Sequence, residues 1–413
     1  MLDLVLYAAA GIWLGTFTGL IPGIHVNNIA PVMVGLAAAS GLPPTNLATL
    51  VVAMMTTHIF VSYIPATFLG APDVGTELSV LPAHRLLLEG RGYEAIRLTT
   101  LGCLGALMIG AVLALPLSLV FSPAYEIMRP HMHWLLLVIT GIMIALEHSW
   151  RKILWAMTIF LLSGLLGLLT LDTNLVRGDV ALMPLLSGLF GVSVLIPSIF
   201  RNTGLPRQNV DTRKPIELIT DLKALGAGTG AGVLTGIMPG IGPSQGTVLA
   251  QMATRSDGAE AFLVGVSAVN MAKSLFSFVA LYAIGRPRSG AAVAVDQLLG
   301  DVGFNELLLL IGAALMAGGV AAIIHLKLGG LAALHIGKIP YRAMCLIVTG
   351  GIITMTFLYT GPTGLLVLGT ATAIGMLPAA TNVKRTHCMG TIMLPCVLYF
   401  AGVKGWVLAG LGL

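Results

Sequence analysis

The sequence predicts an all-α polytopic membrane protein made of two inverted structural repeats, with broken or re-entrant helices at Pro-Gly motifs. Three observations predict it. Hydrophobic residues make up 56% of the 413-residue chain and charged residues only 9%, with a mean hydropathy of +0.94; a soluble chain carries about 25% charged residues. The stretch Gly15-Thr-Phe-Thr-Gly19-Leu-Ile-Pro22-Gly23-Ile24 returns as Gly232-Val-Leu-Thr235-Gly236-Ile-Met-Pro239-Gly240-Ile241. Loop charge, which orients membrane helices, changes sides between the two halves.

The first apolar run, 4–20, carries the first motif, so it is a structural span and not a removable leader. Pro22 removes a backbone donor and Gly23 admits positive φ, which together stop a helix inside an apolar stretch. A break there strands backbone polar groups, tolerable in a bilayer only against protein or a water-filled cavity. Further apolar runs in the first half are 26–41, 47–69, 98–121, 134–146, 153–171 and 180–200. The second half gives 224–238, 246–253, 259–284, 307–324, 328–336, 343–359, 364–377 and 389–401. A span needs about 20 residues, so the short runs predict broken helices and hairpins.

The repetition continues past the opening motif. Gly70-Ala-Pro72-Asp-Val-Gly75 matches Gly285-Arg-Pro287-Arg-Ser-Gly290, Gly92-Tyr93 matches Gly303-Phe304, and Leu182-Met-Pro184 matches Met393-Leu-Pro395. The offset drifts only from 217 to about 210 residues. Residues 1–200 therefore read as one membrane repeat, 201–223 as a cytoplasmic linker and 224–413 as the second repeat. The linker holds Arg201, Arg207, Arg213, Lys214 and Lys223, and basic loops stay in the cytoplasm. In the first copy Arg85, Arg91 and Arg97 share a loop, Arg151 and Lys152 share another, and Arg129 stands alone between them. In the second copy the loop matching Arg129 carries Lys327, Lys338 and Arg342, and the one matching Arg151 has no charge. That swap predicts inversion; Arg286 and Arg288 fit it poorly.

The net charge of +5 is no nucleic-acid signature, because the basic residues lie in short loops. The four cysteines form no C-x-x-C pair and read as small buried hydrophobes. No nucleotide-binding loop and no His-Glu-x-x-His is present, so neither an ATP motor nor a catalytic metal is predicted.

The twin Pro-Gly-Ile breaks resemble the large permease subunit of tripartite tricarboxylate transporters, the TctA-like family. So does the segment from Gly70-Ala-Pro72 through Leu86, Gly90, Tyr93 and Glu94. The second break continues as Gly242-Pro243 in the family's manner; the first continues instead as His25-Val-Asn27-Asn28. The resemblance implies secondary transport of carboxylates driven by an ion gradient. It also implies a small membrane subunit and an extracytoplasmic substrate-binding protein as partners.

A helix restarting after each Pro-Gly has unpaired N–H groups that favour an anion, and inverted copies would bring the two starts together near mid-membrane. The expected substrate site is Pro22, Gly23, Asn27 and Asn28 from the first copy, with Pro239, Gly240, Gly242, Ser244 and Gln245 from the second; Thr247 adds a hydroxyl. The bland alternative is a pair of kinked packing helices whose small residues let neighbours approach. Lys273 lies in an apolar run one turn after Asn270; a lysine mid-span costs about 2.5–3.5 kcal/mol and should face a cavity or partner, unless it snorkels from a helix end. His58 holds the matching place in the first copy, as a substrate or proton ligand or as a core histidine. Asp73, Glu77 and Glu147 read as exposed loop or helix-end carboxylates, with a coupling cation as the sharper alternative.

These readings predict a multi-pass plasma-membrane permease for a small organic anion, a di- or tricarboxylate, working by alternating access with a coupling Na+ or H+ and no catalytic residues. The alternatives are a translocase of a polyprenyl-phosphate lipid, open to the bilayer, and an intramembrane enzyme using His25 and His58.

Overall fold

The computed structural model describes residues 2–21, 26, 29, 33–35, 41–71, 75–147, 149–173, 175–176, 180–200, 206–210, 218–238, 242–254, 258–336 and 341–410. Every regular element among them is helical. In chain order these are α1 (Leu2–Leu20), α2 (Pro44–Val61), α3 (Tyr63–Phe68), α4 (Val80–Leu88), α5 (Gly92–Met128), α6 (Met132–Ala145), α7 (Trp150–Leu171), α8 (Leu182–Leu186) and α9 (Ser193–Phe200). The second half gives α10 (Leu218–Ile237), α11 (Pro243–Thr254), α12 (Ala259–Ile284), α13 (Gly290–Leu299), α14 (Phe304–Ile336), α15 (Tyr341–Thr381), α16 (Gly390–Phe400) and α17 (Lys404–Gly410). Seven of the described stretches are long and apolar enough to cross a membrane, or eight if one bent pair counts as a span. The chain is an all-α, multi-pass membrane protein.

Two compact units organise it, and they are not the two sequence halves. One comprises Met1–Ser122 and Thr203–Tyr341, the other Pro123–Asn202 and Arg342–Leu413. Each draws one segment from each half of the sequence.

In the first unit, α1 lies on α2 and α10 on α12 in the same way. A Cβ on Gly11 would run into the Leu50 carbonyl and Ala53; on Gly15, the Met54 carbonyl and Thr57; on Gly19, Val61. In the second copy a Cβ on Gly228 would meet the Gly265 carbonyl and Ala268; on Gly232, the Val269 carbonyl and Ala272; on Gly236, Phe276. Glycines four apart line one helix face, letting two backbones touch at three successive turns. Small clusters flank each seam: Ala8, Ala53 and Ala317 on one side, Ala231, Ala250 and Val269 on the other. The apolar windows of 44–68 and 259–284 are 100% and 89% buried within the protein, so neither faces lipid along its length.

The polar linker is not a free tether. Gln208 accepts from the Gly92 amide (2.8 Å) and donates to the Leu87 carbonyl (3.0 Å), while the Asn209 amide donates to Gly90 (2.9 Å). Arg91 then grips Glu94 through two bonds of 2.8 and 2.7 Å and reaches Glu260 at 2.6 Å, tying the starts of α5 and α12.

The second unit packs α7 on α16. Gly167 sits against the Thr391 carbonyl and Gly390 against that of Phe160. Between α8 and α9 the chain widens into a π-turn, Ser187–Val192, whose Gly188 sits against Ala371 of α15.

One expected division changes. Runs 307–324 and 328–336 form one helix, α14, because Lys327 is an exposed helix former and not a loop residue. It therefore leaves the loop charges that predicted inversion. Runs 343–359 and 364–377 are two helical segments of α15, divided at the non-helical Gly361 (φ 66°) beside Pro362. Run 180–200 is one continuous helical stretch from 182 to 200 with the π-turn inside it. Most of run 26–41 lies outside the described residues.

Candidate substrate site

Both motif helices stop where the Pro-Gly pairs predict. Helix α1 ends at Leu20 and α10 at Ile237, each followed by a bend residue. Pro22, Gly23, His25, Asn27, Asn28, Pro239 and Gly240 themselves lie outside the described residues. The site is thus built from the second restart, the turn at 75–79, and α12, all in the first unit.

Helix α11 begins at Pro243, whose missing N–H costs nothing in a first turn. The Gln245 side chain, three residues past Gly242, reaches back so that its Oε1 accepts from the Gly242 amide at 2.8 Å, half of a capping box. Its Nε2 is buried and has no partner among the described residues, while the residue is only 1% exposed. An unsatisfied buried donor costs about 1–3 kcal/mol, and no described residue answers this amide.

The next contact was not foreseen. Glu77 is buried, not exposed; its Oε2 accepts from the Ser244 hydroxyl (3.0 Å) and from the Gly75 amide (2.8 Å). Gly75 has φ +92°, and a Cβ there would lie 2.5 Å from Asn270 Oδ1. Only glycine lets the turn press onto α12 at that point. Asn270 is hydrogen-bonded to Tyr63, whose hydroxyl also lies 3.5 Å from the Val266 carbonyl. One turn later stands Lys273, half-buried, with no hydrogen bond or ion pair to a described residue, and feeling the charge of Glu77. The Glu77 carboxylate therefore links the Ser244 hydroxyl to the turn at Gly75, which presses on Asn270, and its charge reaches Lys273. Thr247 turns back instead to the Pro243 carbonyl, at 2.9 Å.

His58 takes the matching place on α2: Cβ atoms on Gly15 and Gly232 would each lie 3.1 Å from the backbone nitrogen of His58 and Lys273, respectively. Its Nδ1 lies 3.0 Å from Thr18 Oγ1, so α1 engages the ring.

Residues Gly242-Pro-Ser244-Gln-Gly246 also have the Gly-x-Ser-x-Gly spacing of hydrolase nucleophiles. That motif works at a strand-to-helix turn with a histidine base. Here it opens a helix in an all-helical setting, and no histidine bonds Ser244 among the described residues.

The same correction applies to Glu147 in the second unit. It is buried and accepts from the Lys384 amide (2.9 Å) and His387 Nε2 (3.0 Å). Sequence reading missed Glu77 because a carboxylate after a Pro-containing turn resembles any loop acid. The available signal was charge: an unanswered lysine in an apolar run requires an acid or a ligand.

Residues 5–390 match the family described as Tripartite tricarboxylate transporter TctA family. An uncharacterised protein of Methanocaldococcus jannaschii is 29% identical over 412 residues, covering 97% of this chain and 99% of that one. No solved structure matches.

Proposed function

Because the chain belongs to the tripartite tricarboxylate transporter TctA family, we propose that it is the permease of a secondary transporter for a small organic anion, a di- or tricarboxylate. The family is one of membrane transporters, which agrees with a chain whose work is carriage and not catalysis. Lys273 carries the reading: a cation inside a membrane-crossing helix, unpaired among the described residues; the orphaned donor of Gln245 is the second group that an anion could answer. A carboxylate would take both, exchanging hydration for a charge-assisted bond. Glu77, whose charge reaches Lys273, is the group at which a coupling H+ or Na+ would act. Alternating access would then move the anion past the restarts after Pro22-Gly23 and Pro239-Gly240, with the two copies inverted. A small membrane subunit and an extracytoplasmic binding protein would complete the tripartite system.

The test is uptake and binding by purified protein in liposomes, across di- and tricarboxylates and polyprenyl phosphates. Wild type is compared with Lys273→Ala and Asn28→Ala. Tricarboxylate binding that falls at least tenfold in Lys273→Ala supports the reading. Binding equal to wild type in both variants for every ligand overturns the site, and preference for polyprenyl phosphate overturns the substrate class.

A further inference from the structure

A second cation stands unanswered in the other unit. Arg385 opens the 3-10 turn Arg385–Met389 that leads into α16 and is half-buried. Its Nη1 is fixed, donating to Ser193 Oγ at 2.9 Å and more loosely to the Phe190 carbonyl at 3.4 Å. Both acceptors sit at the end of the π-turn, and Ser193 is itself oriented by donating to the Leu189 carbonyl (2.7 Å). Nη1 thus serves as an anchor. Nε is buried without a partner, and Nη2 makes no hydrogen bond among the described residues. In a guanidinium Nε–H and the adjacent Nη2–H point the same way, forming the fork that matches two oxygens of one oxyanion.

No carboxylate of the described residues pairs with Arg385. The buried acid that meets the same turn, Glu147, is already committed to Lys384 and His387. His387 is fully buried, and its Nδ1 has no partner either. A guanidinium held in apolar surroundings with its fork empty is costly unless a ligand fills it. π-turns recur at functional sites for the same reason that this one does its anchoring: they displace a carbonyl and a side chain from the regular helix.

We propose that Arg385 is the centre of a second anion site, separate from the Lys273 cluster, which takes an oxyanion with two coplanar oxygens side-on. That chemistry is met by a carboxylate of a free substrate or by the phosphate of an anionic lipid headgroup.

The experiment measures the thermal midpoint of purified full-length protein in detergent, with citrate or phosphatidylglycerol added, in wild type, Arg385→Gln and Arg385→Lys. All three are also made in a Lys273→Ala background, so that failure of the first site is read separately. In that background one of the two probes should still raise the midpoint with Arg385 present. The rise should disappear in Arg385→Gln and shrink at least tenfold in apparent affinity in Arg385→Lys, which keeps the charge and loses the fork. Without added anion, Arg385→Gln should melt no lower than its parent. A response to citrate identifies the substrate as the source, and a response to phosphatidylglycerol identifies the lipid. The proposal is overturned if neither probe distinguishes the variants from their parent, or if both substitutions lower the anion-free midpoint, which marks Arg385 as a structural prop.

Discussion

The α1–α2 and α10–α12 pairs share one pattern of glycine contacts and differ in chemistry. Three glycines, each four residues apart, seat one helix on the other in both. Thr18 and Thr235 each turn a hydroxyl back to the glycine three residues earlier, at 3.2 and 3.1 Å. Yet the first pair closes on a histidine engaged by Thr18, and the second on a lysine with no bonded partner among the described residues. The seam, where any side chain would collide, is alike in the two pairs, and the polar position differs. Binding chemistry should therefore be unequal between copies while packing is equal.

The largest effect tests the equal part. Gly15→Leu and Gly232→Leu should each cost about 3 kcal/mol through overpacking against backbone, read as lost folded yield and a lower thermal midpoint in detergent. Damage from one with tolerance of the other would break the equivalence of the seams. Next comes the unequal part. Lys273→Ala should weaken tricarboxylate binding at least tenfold, about 1.4 kcal/mol, whereas His58→Asn should change it less than threefold. Equal losses would make the site symmetric after all. Gln245→Glu sharpens the point: it keeps an oxygen for the Gly242 amide but replaces the orphaned donor with negative charge. Anion binding should fall about tenfold, and Gln245→Ala should fall less.

The smallest effect is the pH dependence contributed by His84. Burial pushes the His84 pKa on α4 below its ordinary 6.5, against a bond to the Thr67 carbonyl that raises it. A depressed value means the unfolded chain binds the proton more readily. Stability from this group is complete above about pH 6.5 and declines as pH falls toward the folded value. Helix α13, between Gly290 and Gly303 as α4 lies between Gly75 and Gly92, has no histidine. His84→Asn should thus flatten the midpoint-against-pH curve just below pH 6.5. An unchanged slope would assign it elsewhere.

Much of this architecture was legible because it depends on local chemistry. Composition gave the membrane class, and Pro-Gly ended α1 and α10 where expected. The glycine spacing that marked the repeat in sequence is the spacing of the seams. Lys273 and Asn270 were found because polar groups in an apolar run must be answered. What stayed hidden depends on distant partners. Glu77 and Glu147 looked like surface acids until residues 167 and 240 positions away supplied their donors. Lys327 looked like a loop because hydropathy dips at any lysine, though its long stem reaches outward from an unbroken helix. Arg385 drew no notice, since nothing in the sequence announces which guanidinium edge will be left open.

The interleaving of the two units bears on how the chain is made. When synthesis has passed residue 202, neither unit has all its parts: each still awaits a segment from the second half. The seam glycines of α1 can meet α2 early, but α7 has to wait for α16 before its own small residues are covered. A truncation at the linker should then leave inserted helices exposed to membrane quality control, not a half-transporter able to be rescued by its missing half added later.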